Sequence, residues 1–153
     1  MSLKSQQANM KAIYSLVSQN LSYIHGESET GPNGAKKQFH TKSAAFLRAL
    51  GRDLGLKEFT VSKNYGGIAE SGEITLMGLW SEGNGVYFQL SQSVAGRNDF
   101  LYRHIAHTED YSGGSNQWLN CDLFKDGDNE AVLDTLLALR KSTDTEAVSR
   151  NAA

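Results

Sequence analysis

The sequence predicts an α+β protein in which three helices cover one face of a four-stranded antiparallel meander sheet. Three observations lead to this fold class. Apolar residues recur at three- and four-residue steps near both ends of the chain, as they do in amphipathic helices. Between residues 58 and 107 the apolar period changes to two, which is typical of strands. The segments between these strands are too short for parallel crossovers, so they favour antiparallel pairing.

The length and composition fit one globular domain. The chain has 153 residues, of which 39% are hydrophobic and 21% are charged. That balance suits a single core. We therefore expect one domain over residues 1–153, with a flexible loop at 26–40 and a frayed polar tail at 142–153.

The first helix is predicted at residues 8–25, where Met10, Ile13 and Val17 belong to one apolar stripe. Gly26 is a natural end for it. The following loop is predicted because residues 26–40 contain the only proline and three glycines and have no apolar period.

The second helix is predicted to begin near Thr41 as its N-cap and to run to Leu54. Gly55 closes it as a C-terminal glycine. Gly51 lies inside this helix. Because a mid-helix glycine costs about 1 kcal/mol relative to alanine, its presence predicts close packing at that position.

Four strands are predicted, at residues 58–63, 73–80, 86–93 and 99–107. The second strand is apolar on both faces: Ile74, Leu76 and Trp80 share one face, and Met77 and Leu79 share the other. Such a strand is either covered twice or contacts a partner chain. A second copy of the chain is one such partner, so the pattern is compatible with a homodimer.

The last helix is predicted from Asn129 to about Lys141, with Asp128 as its N-cap. The acidic segment DGDNE, residues 126–130, spans its start. Acidic groups at a helix start complement the macrodipole, and the segment lacks the ligand spacing of a calcium-binding loop. No calcium site is predicted.

His104 and His107 raise the question of a metal site. In a strand over 99–107, positions three apart point to opposite faces, so the two imidazoles cannot share one ion unless the strand ends before His107. Cys121 is the only cysteine, which leaves no internal disulfide and no cysteine-based zinc cluster. We predict no metal and no cofactor.

Four residues could nevertheless form an acid–base site at the end of the last predicted strand: Arg103, His104, His107 and Asp110. Histidine titrates near neutral pH and arginine can hold an anion. No nucleophile motif, phosphate-binding loop or metalloprotease motif accompanies them. A small enzyme is therefore the alternative prediction, and a non-catalytic binding module is the first.

The charge distribution offers a binding surface. Residues 1–64 carry 9 Lys/Arg and 4 Asp/Glu and residues 65–153 carry 6 and 13, so charges of +5 and −7 give the net −2. Aromatic residues accompany these cations: Phe39, Phe59 and Tyr65 lie nearby in the sequence, and Tyr87 is expected on the polar face of the sheet. Cations near aromatic residues on a sheet suit nucleic acid, whereas a solvated helix face explains the same cations more simply. The predicted binding residues are Lys36, Lys37, Arg48, Arg52, Tyr87, Arg103, Tyr111 and Asn116.

The segment TEDYSGGSNQWL, residues 108–119, has two interpretations. In one, its glycines make a tight reversal while Trp118 and Leu119 fill the core. In the other, the glycines let the backbone approach a ligand and the amides face an anion. The first interpretation needs fewer assumptions.

The sequence begins MSLKSQQANMK and contains no apolar segment of about 20 residues. It therefore predicts neither a secretory signal nor a membrane span. A cytoplasmic location and no membrane partner are expected.

Five linked segments resemble an uncharacterised family of small bacterial proteins often found on plasmids and other mobile elements: FLRALGRDLGL, GGIAESGEITL, GVYFQLSQS, LYR and DYSGGSNQWL. The resemblance covers about residues 41–120. The family brings no established activity, cofactor or catalytic residue, so the resemblance implies only a bacterial, cytoplasmic, accessory role. Taken together, the sequence predicts a small interaction module whose partner is a protein, a second copy or a nucleic acid.

Overall fold

The computed structural model describes residues 3–18, 34–65, 72–91, 99–110 and 115–142. A short 3-10 helix, Leu3–Gln6, leads into the first α-helix. The elements that follow, in chain order, are α1 (Gln7–Val17), α2 (Ala35–Asp53), β1 (Glu58–Asn64), β2 (Glu73–Leu79), β3 (Gly85–Ser91), β4 (Asp99–Ile105), β5 (Gln117–Asn120), α3 (Asp122–Lys125) and α4 (Asn129–Ser142).

The sheet is an antiparallel meander with the strand order β1-β2-β3-β4-β5. The predicted α+β class and antiparallel sheet are confirmed. The predicted numbers of strands and helices are wrong, because β5 and α3 were not expected. Both elements have only four residues, too few to show a clear period of two or 3.6 in the sequence.

Helix α2 begins at Ala35, six residues before the predicted start at Thr41. The predicted loop at 26–40 is therefore wrong for residues 35–40. Ala35 and Phe39 are buried four residues apart, and Phe46 continues their stripe one heptad later. The rest of the predicted loop and the end of the first predicted helix lie outside the described residues.

The core lies between the helices and one face of the sheet. Four phenylalanine rings connect the layers: Phe46 of α2 meets Phe124 of α3 at 5.0 Å, Phe124 meets Phe100 of β4 at 4.8 Å, and Phe100 meets Phe88 of β3 at 6.4 Å, all edge-on. Edge-to-face contacts of this kind add to the stabilisation that burial provides. The sheet is thus covered by helices on the face that carries Phe88 and Phe100.

The glycine predictions for α2 are confirmed. A Cβ added at Gly51 would lie 2.7 Å from the Phe59 ring of β1, so only glycine allows the helix to approach the strand this closely. Gly55 has a φ of 72°, the left-handed conformation expected just after a helix.

The last helix agrees with its prediction. The Asp128 carboxylate accepts a hydrogen bond from the Ala131 backbone N–H at 3.0 Å, which is the expected N-cap contact. Residues 143–153, most of the predicted frayed tail, lie outside the described residues.

Candidate functional site

The side chains of the sheet that point away from the helices define a surface that we call the open face. Its half-buried or exposed apolar members are Met77 and Leu79 of β2, Tyr87 of β3, Leu101 of β4 and Trp118 of β5. Within the described residues, none of these five is among the buried apolar side chains that form the core between the helices and the sheet, which we call the core cluster, and none packs against that cluster. The prediction that β2 is apolar on both faces is confirmed, since Ile74 and Leu76 are buried while Met77 and Leu79 are half-buried.

The strand register arranges the open face in rows. Gln89 lies opposite Leu101, and Leu101 lies opposite Trp118. The next row joins Met77 to Tyr87 and Tyr87 to Arg103. Direct cross-strand neighbours have Cβ atoms about 5 Å apart, so the rows form a continuous mixed surface of apolar, aromatic and amide groups.

Trp118 is the most exposed large side chain of this surface. It is 49% exposed, whereas the adjacent Leu119 is 2% exposed. The prediction that both residues fill the core is wrong for Trp118. Both residues belong to β5, and successive side chains of a strand point to opposite faces.

Arg103 is anchored beneath the turn that follows β4. It is only 5% exposed. Its Nη2 donates to the backbone carbonyl of Asp110 at 2.5 Å, and its Nη1 lies 3.9 Å from the Asp110 carboxylate. The guanidinium also lies 5.4 Å from the centre of the Tyr87 ring, a favourable cation–π distance.

Asp110 completes this anchor. Its Oδ2 accepts a hydrogen bond from the Ala106 N–H at 3.0 Å, so the carboxylate closes the turn on itself. Ile105 is fully buried but lies outside the core cluster, as expected if the turn covers this end of the open face. Holding the turn after β4 is therefore a structural role that is sufficient to explain both Arg103 and Asp110.

Tyr87 has a phenol whose pKa is raised. Burial is the largest cause, the negative charge of Glu73 adds to it, and the Arg103 charge opposes it. The hydroxyl donates to the Gln89 side-chain oxygen at 2.9 Å. Tyr87 consequently presents a neutral hydrogen-bonding ring at neutral pH.

The structure does not gather the predicted acid–base residues into one site. Arg103 and Asp110 meet, but His104 points to the helix-covered face, where it lies opposite Val86. Burial lowers the His104 pKa, and the Asp110 charge raises it by a smaller amount. His107 follows the end of β4, is exposed, and accepts a hydrogen bond from the Glu109 N–H at 3.2 Å.

Because β4 ends at Ile105, the strand argument for placing the two histidines on opposite faces does not extend to His107. Among the described residues, no group of three or more histidine, cysteine, aspartate or glutamate side chains could hold a metal ion. Cys121 is buried, and burial together with Asp122 and Asp99 raises its pKa to about 11. Its thiol is therefore protonated at neutral pH and is a poor nucleophile.

The predicted binding residues divide between two sides of the molecule. Lys37, Arg48 and Arg52 are exposed on α2, on the far side of the sheet from the open face. Lys36 is only 4% exposed, so its prediction as a surface contact is wrong. It lies on the inward side of α2 with Phe39 and His40.

The aromatic residues predicted to accompany these cations are mostly internal. Phe39 is fully buried and Phe59 packs against the core. Tyr65 is 49% exposed and one face of its ring stacks on His40, with 4.4 Å between the ring centres. Asn116 is exposed beside β5, and Tyr111 lies outside the described residues.

Sequence reasoning missed Trp118, Leu101, Met77 and Leu79 as surface residues of one site. The available signal was the two-sided apolar pattern of β2, which points to a second apolar face. Leu101 reaches this face through β4, which the sequence predicted, whereas Trp118 joins it through β5, which the sequence did not reveal.

No protein-family model, curated protein or solved structure matches the chain. Within the described ranges, no helix is both long enough and apolar enough to cross a membrane. The candidate site is thus the open face, with Trp118 exposed near its β5 edge and Arg103 anchored at one end.

Proposed function

We propose that the protein is a non-catalytic interaction module that binds a protein partner through the open face. The exposure of Trp118 beside Leu101 carries this proposal. An indole that is 49% exposed, next to further apolar side chains outside the core, costs free energy in water. Contact with a partner would remove that cost.

The chemistry of the open face supports a protein partner. The centres of protein–protein interfaces are enriched in Trp, Tyr, Met and Arg and are depleted of Lys and Glu. The open face presents Met77, Tyr87 and Trp118 in this way, and Arg103 lies buried beneath one end of it. The positive charge of Arg103 is already matched by Asp110, so no uncompensated charge would be buried there.

The charges at the margin indicate what the partner presents. Glu58, Glu73 and Asp99 lie on the open face at the ends of their strands. An acidic margin repels phosphates and favours a basic rim around the partner's apolar centre. The partner proposed is therefore a protein surface with an apolar centre and basic edges.

The resemblance to the family found on bacterial plasmids adds a setting to this proposal. In that setting the protein acts in the bacterial cytoplasm as an accessory factor of a mobile element. The open face would then contact another protein of the host or of the element.

The test is affinity purification from the native host with three forms of the chain: wild type, Trp118→Ala, and the matched control Arg48→Ala/Arg52→Ala. The control removes exposed groups from the opposite side of the molecule. A true partner is retained by wild type and control and does not bind Trp118→Ala.

The partner is then purified and its Kd is measured by calorimetry. Trp118→Ala is expected to raise the Kd about 30-fold, because central tryptophans commonly contribute about 2 kcal/mol or more. Equal binding by wild type and Trp118→Ala, or an equally weak result with the control, would contradict the proposal.

A further inference from the structure

A separate feature, the outer edge of β1, is suited to pairing with another strand. β1 has seven residues and is the first strand of the sheet, with β2 as its only neighbour among the described strands. In an antiparallel sheet about half of the backbone N–H and C=O groups of an edge strand point outward. The opposite edge strand, β5, has only four residues, so β1 offers the longer row of such groups.

The residues of β1 do little to discourage pairing. Proteins usually protect a long edge with a central lysine, a proline or a bulge. The centre of β1, Phe59–Ser62, contains none of these, and Thr60 and Val61 are β-branched residues that favour strands. Its charged residues, Glu58 and Lys63, lie near its ends.

We propose that β1 of one copy of this chain pairs antiparallel with β1 of a second copy. The five-stranded sheet of each copy, as formed by the described residues, then becomes half of one ten-stranded sheet. A twofold axis perpendicular to the sheet keeps each side chain on its own face. Side chains on one face of β1 have either all even or all odd residue numbers. Two residues that face each other across the dimer must therefore both be even-numbered or both be odd-numbered. The register centred on Val61 pairs Val61 with itself and uses the whole strand.

This register brings together compatible side chains. Thr60 of one copy faces Ser62 of the other, and Glu58 faces Asn64, on the continuation of the open face. On the helix-covered side, Lys63 faces Phe59. No like charges are opposed within the strand, so the register avoids the repulsion that opposed like charges cause.

The same register offers a contact for the exposed face of the Tyr65 ring. Just beyond the strand ends, exposed Lys57 of one copy comes to the same corner as Tyr65 of the other. His40 stacks on one face of the Tyr65 ring, and the ring is still 49% exposed. A lysine ammonium over the other face would add a cation–π contact at each end of the dimer.

Shifts of the register by two residues are less favourable. Either shift shortens the overlap from seven residues to five. A shift that pairs Thr60 with itself also places Lys57 opposite Lys63 at both ends, where the like charges repel. A shift that pairs Ser62 with itself removes Glu58 and Phe59 from the paired region.

Single cysteines report the register directly. Directly paired Cα atoms lie about 4.5–5.5 Å apart, within the range of a disulfide. Val61→Cys is therefore expected to form a covalent dimer under mild oxidation. Thr60→Cys and Ser62→Cys are the matched controls, since their equivalent Cα atoms lie about 8 Å apart in this register and do not bridge. Wild type, with its buried Cys121, is expected to stay uncrosslinked.

Charge changes test the same dimer without a crosslink. Thr60 and Ser62 are both exposed, so their substitution spares the core. Thr60→Lys/Ser62→Lys opposes two pairs of like charges and is expected to raise the dimer Kd about tenfold or more. Thr60→Glu/Ser62→Lys opposes unlike charges and is expected to keep the dimer. Circular dichroism checks that both variants fold.

Light scattering on the full chain measures its mass in solution and so distinguishes a monomer from a dimer. A mass of twice 16.7 kDa that falls only with the double-lysine variant supports the proposal. A monomer at high concentration, a dimer indifferent to both charge variants, or crosslinking of Thr60→Cys in preference to Val61→Cys would overturn it. This inference is independent of the proposed function, because Trp118→Ala is expected to leave the dimer mass unchanged.

Discussion

At the scale of single residues, the distance between α2 and the sheet is set by Gly51. The Phe59 ring occupies the space that a Cβ at position 51 would need. Gly78 of β2 makes a second close approach, since a Cβ there would lie 2.5 Å from the Phe59 Cβ. Phe59 is thus held between a helix and a neighbouring strand that both lack side chains where they meet it.

Gly51→Ala is expected to lower the free energy of unfolding by about 1–2 kcal/mol. The added methyl group overlaps the Phe59 ring, and overpacking of this kind costs more than the roughly 1 kcal/mol that alanine gains in helix propensity. Urea denaturation followed by circular dichroism measures the change.

The control is the same substitution in a Phe59→Leu background. A smaller, more flexible side chain at position 59 relieves the overlap, so Gly51→Ala is expected to be less harmful there. A neutral or stabilising effect of Gly51→Ala in the wild-type background would show that the approach is not tight.

At the scale of elements, an ion pair joins the C-terminal part of α4 to the turn between β2 and β3. The Arg140 Nε and Nη2 donate to the two Glu82 carboxylate oxygens at 2.7 and 2.6 Å. The guanidinium also lies 5.8 Å from the Trp80 ring centre. Trp80 in turn donates from Nε1 to the Leu54 carbonyl at the end of α2 at 2.9 Å, so one corner connects two helices with the sheet.

Glu82 is expected to titrate far below an ordinary glutamate. The hydrogen bonds from Arg140, then from Ser81, lower its pKa from 4.5 to about 2. Because the folded-state pKa is the lower one, the stabilisation is fully present above pH 4.5 and disappears as the pH falls through about 2. Carboxyl NMR of Glu82 measures the midpoint.

Arg140→Gln is expected to move the Glu82 midpoint back toward 4.5, whereas Lys125→Gln on α3 is expected to leave it unchanged. High salt is expected to weaken the pair, since both side chains are substantially exposed. A Glu82 midpoint near 4.5 in the wild type would mean that the pair does not form in solution.

The elements that the sequence predicted well are those with long, regular patterns. β1 to β4 and α4 were placed to within about two residues at their ends. In β2, β3, β4 and α4 several consecutive periods of buried side chains mark the element, whereas β1 has only the half-buried Phe59 and Val61. The start of α2 was missed because the nearby proline and glycines suggested a loop, although Ala35 and Phe39 already follow the helical stripe. β5 was missed because its four residues include a single buried side chain, Leu119.

The candidate site was harder to predict for a related reason. Trp118 resembles a core residue until β5 places it on the face opposite Leu119, and Lys36 resembles a surface cation until α2 turns it inward. Both errors concern which side of an element a residue occupies. That choice depends on pairing and packing between distant segments, which a single sequence does not specify.

At the scale of the whole molecule, the exposed cations and the exposed indole occupy different sides. Lys37, Arg48 and Arg52 lie on the outer surface of α2, whereas Trp118 lies on the open face with an acidic margin. Base stacking needs an aromatic ring beside the groups that bind phosphate. The helix layer and the sheet separate these cations from Trp118, and the exposed ring on the cation side is Tyr65, one face of which stacks on His40.

We therefore expect any binding to DNA or RNA to be mainly electrostatic, detectable only at low salt and without a contribution from Trp118. Arg48→Ala/Arg52→Ala is expected to weaken such binding and to reduce its salt slope by about one for each phosphate that is no longer neutralised. Trp118→Ala is the matched comparison and is expected to leave the affinity unchanged. Fluorescence anisotropy with single- and double-stranded probes over a salt series measures both effects. Binding that persists at physiological salt and falls with Trp118→Ala would instead assign the open face to nucleic acid, because only stacking on that face makes the indole necessary.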